Sequence, residues 1–162
     1  MTDRLDTRGH VTLRLTDRAG RIVDERRRRN RIVLSGRFMI AELFSETTSP
    51  PGPISHIGVG TDGTTPADDH EALLAPRGAR REITERDTER LTERTEDREE
   101  VVRVRVSLTA IFDYDDANGT EPLREAASFN GEEDGVMYNR VVFEPVTKTD
   151  AFRLTLLWEV VF

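Results

Sequence analysis

Cysteine is absent from the 162 residues. This excludes a disulfide framework, thiolate zinc sites and a cysteine nucleophile. Long apolar runs are missing as well: none approaches the ~20 residues needed to span a bilayer, so membrane insertion is not expected. The start, Met1-Thr2-Asp3-Arg4, has no apolar stretch behind it. No signal peptide is expected, and the simplest expectation is a soluble protein made in a cytoplasm. Lysine is nearly absent, since Lys148 is the sole example among 24 basic residues. Arginine holds its charge and forms planar bidentate pairs with carboxylates, although a GC-rich genome gives the same bias without physical purpose.

What is present begins with length. A chain of this size matches the prior of about 150 residues per domain and can bury a core without staples. The expectation is a single domain over residues 1–162. Hydrophobic residues make up 36% and charged residues 34%, so the core is modest and the surface heavily ionised. The 31 acids outnumber the 24 bases and leave a net charge of −7, which disfavours a nucleic-acid or anionic-membrane partner.

Alternation dominates the pattern. Val11, Leu13 and Leu15 oppose Thr12, Arg14 and Thr16, as in a half-buried strand. The turn Asp17-Arg18-Ala19-Gly20 leads into a second strand over 21–27, completing a hairpin. From Arg31 to Phe44 the period becomes helical, with Leu34, Phe38, Ala41 and Phe44 in one stripe widened by Ile40 and Leu43. This hairpin plus helix occupies 1–46. Thr47-Thr48-Ser49-Pro50-Pro51-Gly52-Pro53 closes it as a stiff loop.

Residues 54–60 form a short apolar strand before the Gly/Thr/Asp loop 61–65, and Pro66 to Leu74 suit one or two helical turns, with Thr65 as N-cap. Thr-Glu-Arg then occurs three times, at Thr84, Thr88 and Thr92. Threonine favours a strand, and without an apolar stripe the segment cannot be a core helix. Residues 80–98 therefore read as a two-sided, charged, extended arm in preference to a solvated helix, which the four-residue period also allows through the i,i+3 pairs Arg86/Glu89 and Arg90/Glu93. The strongest strands are 101–112, with Val102, Val104, Val106, Leu108, Ala110 and Phe112 on one face, and 151–162, with Phe152 to Phe162 alternating likewise. Twelve extended residues span roughly 40 Å. Shorter strands are expected at 123–129 and 136–143. The fold class is mainly β: an antiparallel β-sandwich of about seven strands with one packed α-helix, its core over 54–162.

Candidate chemistry is sparse. Gly58-Val59-Gly60-Thr61-Asp62-Gly63 matches G-x-G-x-x-G after a strand. In a dinucleotide site such glycines admit a pyrophosphate, but the chain lacks the βαβ rhythm, and a turn rich in positive-φ positions accounts for the glycines. Asp113-Tyr114-Asp115-Asp116-Ala117-Asn118-Gly119 fails the calcium-loop spacing, with Ala117 at the fifth position and Arg124 at the twelfth. An acidic hairpin turn explains it. His10, His56 and His70 lie far apart in sequence, and His70-Glu71 lacks the second histidine of H-E-x-x-H. Arg26 to Arg29 follow Asp24 and Glu25, as a salt-bridged strand end would. Nothing assembles into nucleophile, base and orienter, so neither enzymatic activity nor a cofactor nor a metal is expected. The expectation is a protein working by shape and contact.

Three segments carry a resemblance. Ile54-Ser55-His56-Ile57-Gly58-Val59-Gly60 through Pro66, with Leu73-Leu74 and Arg80-Arg81 behind it, is the first. Asp116-Ala117-Asn118-Gly119 followed by Leu123 to Phe129 is the second, and Phe143-Glu144-Pro145-Val146-Thr147-Lys148-Thr149 with Leu154-Thr155-Leu156 the third. In this order they resemble stretches of phage tail-fibre and tail-collar-type proteins, over about two thirds of the chain. The resemblance implies a virion structural component of a phage tail or related contractile injection particle, in several symmetric copies and assembled in the host cytoplasm. Its partners would be copies of itself and other particle proteins, with a host-surface glycan or receptor as a further candidate. The long Thr-Glu-Arg stretch and the N-terminal hairpin plus helix depart from the pattern. They leave fibre, collar, baseplate periphery and capsid decoration open.

The last strand reads as an unprotected edge for another subunit to cover. Arg86, Glu89, Arg90, Glu93, Arg94 and Phe162 are the expected interface residues, their charges setting register and partner choice. Two other classes compete: a carbohydrate- or receptor-binding sandwich, for which Tyr114 is the one good loop aromatic, and a nucleotide-using enzyme built on Gly58, Gly60 and Gly63.

Overall fold

A computed structural model describes residues 7–45, 49–94 and 100–162. It is mainly β with one helix. The strands are β1 (Arg8–Asp17), β2 (Ile22–Arg29), β3 (Arg31–Ile32), β4 (His56–Gly60), β5 (Arg81–Arg94), β6 (Glu100–Phe112), β7 (Leu123–Phe129), β8 (Met137–Val146) and β9 (Phe152–Val161), with helix α1 (Leu34–Glu42) between β3 and β4. They form one antiparallel sheet in the order β2-β1-β9-β6-β5-β4-β7-β8-β3.

The expected seven-strand sandwich is therefore corrected to a nine-stranded sheet curled nearly into a barrel. The reason lies in the chain between its two ends. β2 and β3 are the outermost strands, yet Asn30 alone separates them in sequence. One stretch of chain thus pairs with β1 by its first part and with β8 by its second, drawing the edges together. Arg26 of β2 reinforces the seam by donating to the carbonyls of Glu144 (2.7 Å) and Pro145 (3.0 Å) near the end of β8.

The inward face of this sheet is the core. Val11, Leu13 and Leu15 face Leu108, Ala110, Phe112, Leu154, Leu156, Trp158 and Val160 within one buried cluster. These are the residues the alternation selects. A second cluster (Val33, Leu73, Ala127, Phe129 and Met137) lies on the opposite side of β7, whose Ala126 belongs to the main one.

Several local expectations change. The helix spans Leu34–Glu42, not 31–44, and it buries Gly36 and Met39. The apolar stripe expected to face the core is turned outward: Leu34, Phe38, Leu43 and Phe44 are exposed, Phe44 by 88%. Gly36 decides this, because a side chain there would strike the backbone of Tyr138, so the helix lies with its smallest face against β8. Residues 66–74 form an irregular loop rather than helical turns. β9 is no edge: it lies between β1 and β6, and Phe162 exchanges backbone hydrogen bonds with Val104 (2.9 and 3.1 Å).

Candidate functional site

The charged arm is built by strand neighbours that run out. β4 pairs with β5 only at Arg81 and Glu82, and β9 meets β6 from Arg105 onward. Past those points β5 and β6 pair only with each other, as far as Arg94 and Glu100, apart from the contact with Phe162. The result is a two-stranded ribbon continuing beyond the barrel rim. The expected arm over 80–98 is thus a strand as far as Arg94, and its remainder lies outside the described residues.

The ribbon has two unlike faces. On the outer face Glu89 accepts from Arg105 (2.6 Å), Arg105 also meets Glu159 (3.1 Å), and Glu159 meets Arg27 (3.3 Å). The hydrogen bond to Glu89 raises the Arg105 guanidinium further above its ordinary range. Glu93 pairs with Arg8 at 2.7 Å and with Arg103 at 4.0 Å. This face is a cross-strand ladder of alternating charge within one chain. Of the expected interface residues, Glu89 and Glu93 are therefore engaged internally.

The inner face continues the barrel's interior face. Arg86, Thr88, Arg90, Thr92 and Arg94 alternate along it, opposite Leu108, Val106, Val104, Val102 and Glu100. Nothing among the described residues roofs its outer part: Val102 is 60% and Val104 42% exposed. Arg94 meets Glu100 at 3.4 Å. Arg86 and Arg90 have no carboxylate partner among the described residues. Phe162 borders the same face, half-buried against the core cluster. The structure thus collects Arg86, Arg90, Arg94 and Phe162 on one side and directs Glu89 and Glu93 to the other.

The segments that carried the resemblance prove to be internal joints. Gly58 and Gly60 sit inside β4 without positive φ; among glycines, that conformation belongs to Gly20 and Gly78. The expectation of a positive-φ turn is corrected to close approach. A side chain at Gly60 would strike Ala75 and Glu125, and one at Gly58 would press on Leu73, because the 61–80 segment folds flat across the strand.

That segment is pinned from below by a fully buried ion pair. Arg140 donates through Nε to Glu125 (2.8 Å), and neither side chain is exposed. Glu125 also accepts from the backbone N–H groups of Leu74 (3.2 Å) and Ala75 (2.8 Å). Arg140 reaches the carbonyl of Thr64 (2.7 Å) and the carboxylate of Asp62 (3.4 Å). The N–H of Thr64, with Arg140 behind it, holds the Asp62 carboxyl below the usual range.

The other two segments meet at Lys148. Its Nζ donates to Asn118 Oδ1 (2.8 Å) and to the carbonyls of Thr149 (3.1 Å) and Tyr114 (3.4 Å). Burial lowers the ammonium's affinity for its proton. The acidic turn is thereby stapled to the start of β9. Tyr114 is half-buried, with the Arg18 guanidinium 4.4 Å and that of Arg153 5.3 Å from its ring centroid.

Sequence reasoning missed Arg140, Glu125 and Asn30. Each is a polar residue inside an alternating strand or at a strand break, and that misfit is the one signal the sequence carries. Among the described residues no group of three His, Asp or Glu could hold a metal ion, and no helix is long and apolar enough to cross a membrane. Comparison with known proteins finds no matching family model, no matching curated protein and no matching solved structure.

Proposed function

We propose that this chain is a non-enzymatic structural subunit of a phage tail or tail-like particle, in a fibre, collar or baseplate periphery, working by contact with copies of itself and with other particle proteins. The observation that carries the reading is the ribbon's inner face. It leaves Val102 and Val104 in water beside Arg86 and Arg90, and the exposed Leu43 at the end of α1 lines one cleft with Arg86 and Val106. Exposed apolar residues grouped in this way mark interaction surfaces.

The favoured occupant is a second copy of the chain. The ribbon's inner face, with Arg86, Arg90 and Arg94, is cationic in a molecule of net charge −7, and the turn between β7 and β8 supplies a complement in the exposed Glu132 and Glu133. Ribbon and turn are different patches, so their contact is heterologous and closes into a ring when the rotation allows. The three motifs support the particle assignment by the order in which they occur.

Light scattering across protein concentration tests the assembly. The expected result is a discrete oligomer that loosens as salt rises. Val102→Asp with Val104→Asp should give a monomer of unchanged melting temperature. A monomer of the unaltered chain at every concentration overturns the reading. The particle itself is tested by the neighbouring genes, which should encode tail tube, sheath or baseplate proteins.

A further inference from the structure

The curled sheet leaves a cavity of about 550 Å³ at its ribbon end, within the size range of small-molecule sites. Its inner wall is the apolar core: Leu108, Trp158 and Val160 from the sheet and Met39 from the helix. Trp158 is fully buried behind this wall, and the accessible lining belongs to Leu43, Ile54, Val106 and Phe162. Its rim carries one cation, Arg86. The guanidinium donates to the carbonyls of Ile83 (3.1 Å) and Ile54 (3.4 Å), so its stem and orientation are fixed. Five N–H donors serve two carbonyls and, among the described residues, no carboxylate. Tyr138 also lines the cavity, and its buried hydroxyl has no hydrogen-bond partner among the described residues. The wall therefore keeps an unmet donor, which ordinarily costs stability.

We propose that this cavity binds an amphiphilic anion, a medium-chain carboxylate whose aliphatic tail lies along Leu43, Ile54, Val106 and Phe162, in front of Trp158, and whose head is held by Arg86. An apolar chamber with one oriented guanidinium at its mouth fits this class better than a neutral lipid, which leaves the cation unused, or a sugar, which the apolar wall rejects. The chamber shares Arg86 and Leu43 with the surface on which the assembly contact is placed, so ligand and second copy are rival occupants that the experiment tells apart.

Trp158, the only tryptophan in the chain, is a built-in reporter. The full chain is titrated with dodecanoate brominated at its terminal carbons, with unbrominated dodecanoate as control, and native mass spectrometry counts the bound molecules. Saturable quenching of Trp158 is expected at one ligand per chain. Arg86→Gln should weaken the carboxylate about tenfold, the scale of a charge-assisted hydrogen bond, and leave the matching brominated alcohol unchanged. Val106→Phe should abolish quenching by filling the chamber. If that variant fails to fold, the stoichiometry and the acid-against-alcohol contrast still decide. No saturable quenching of the unaltered chain overturns the proposal, as does equal weakening of acid and alcohol by Arg86→Gln. Trp158 shielded only in oligomers, with no ligand bound, assigns the chamber to a second copy and overturns it too.

Discussion

In the body of the barrel and in the ribbon, one strand follows one pattern and meets opposite fates. Along β6 the side chains on the inner face are Val102, Val104, Val106, Leu108, Ala110 and Phe112. The last three are nearly or fully buried, with Ala110 and Phe112 at 0%, while Val102 is 60% exposed. Alternation is the same throughout. At Ala110 the strand has β5 on one side and β9 on the other, and a curled sheet facing it; at Val102 it has β5 alone. The burial of a strand face is thus a property of the neighbours it acquires. Charge follows the same rule. Arg140 and Glu125 pair with no exposure in the body, whereas Glu89, Arg105 and Glu159 pair on a wetted surface, where such contacts are worth less.

The largest expected break in this comparison is at the buried pair. Arg140→Met strands the Glu125 carboxylate and releases the 61–80 segment, and should cost about 3–5 kcal/mol in urea unfolding. Next comes the apolar contrast. Leu156→Ala, at a fully buried site, should cost about 2–5 kcal/mol. Val102→Ala in the ribbon should stay within about 0.5 kcal/mol. Equal losses under conditions where the chain is monomeric would mean that the ribbon's inner face is covered within the single chain.

The smallest effect is a pH dependence at the ladder. His10 has its pKa lowered below the ordinary 6.5, first by burial and then by Arg27 and Arg29. Below that ordinary value the unfolded chain binds the proton more readily than the folded one. Stability should therefore fall as pH drops from about 7 through the unfolded value, and level off below the folded one. His10→Gln should flatten that part of the profile, read as the urea midpoint between pH 7.5 and 5.5.

Much of the strand content was legible in the residues. The range 123–129 coincides with β7, and Val11, Leu13, Leu15 and the 154–160 alternation are core, because a period of two beside β-favouring side chains is a local signal. The arm was legible as charged and solvated, with its threonines favouring a strand, but the four-residue period left a helix open until strand pairing decided it. The helix was legible as an element but not in its orientation: its stripe is apolar, yet close approach at Gly36 outweighs it. The candidate site was half legible. Arg86, Arg90, Arg94 and Phe162 do share a surface, while Glu89 and Glu93 are occupied by Arg105, Arg103 and Arg8, residues distant in sequence.

By itself the sequence determined that this is a cysteine-free, acidic, mainly antiparallel β protein with a charged ribbon, since each of these follows from composition or from the spacing of nearby residues. Only the tertiary structure decided that the sheet curls until β2 and β3 meet through Asn30, that Arg140 and Glu125 hold the 61–80 segment, that Lys148 staples the acidic turn, and that half of one valine face lies open. Those outcomes depend on which distant strands become neighbours, and desolvation, pairing and steric approach act only once they have.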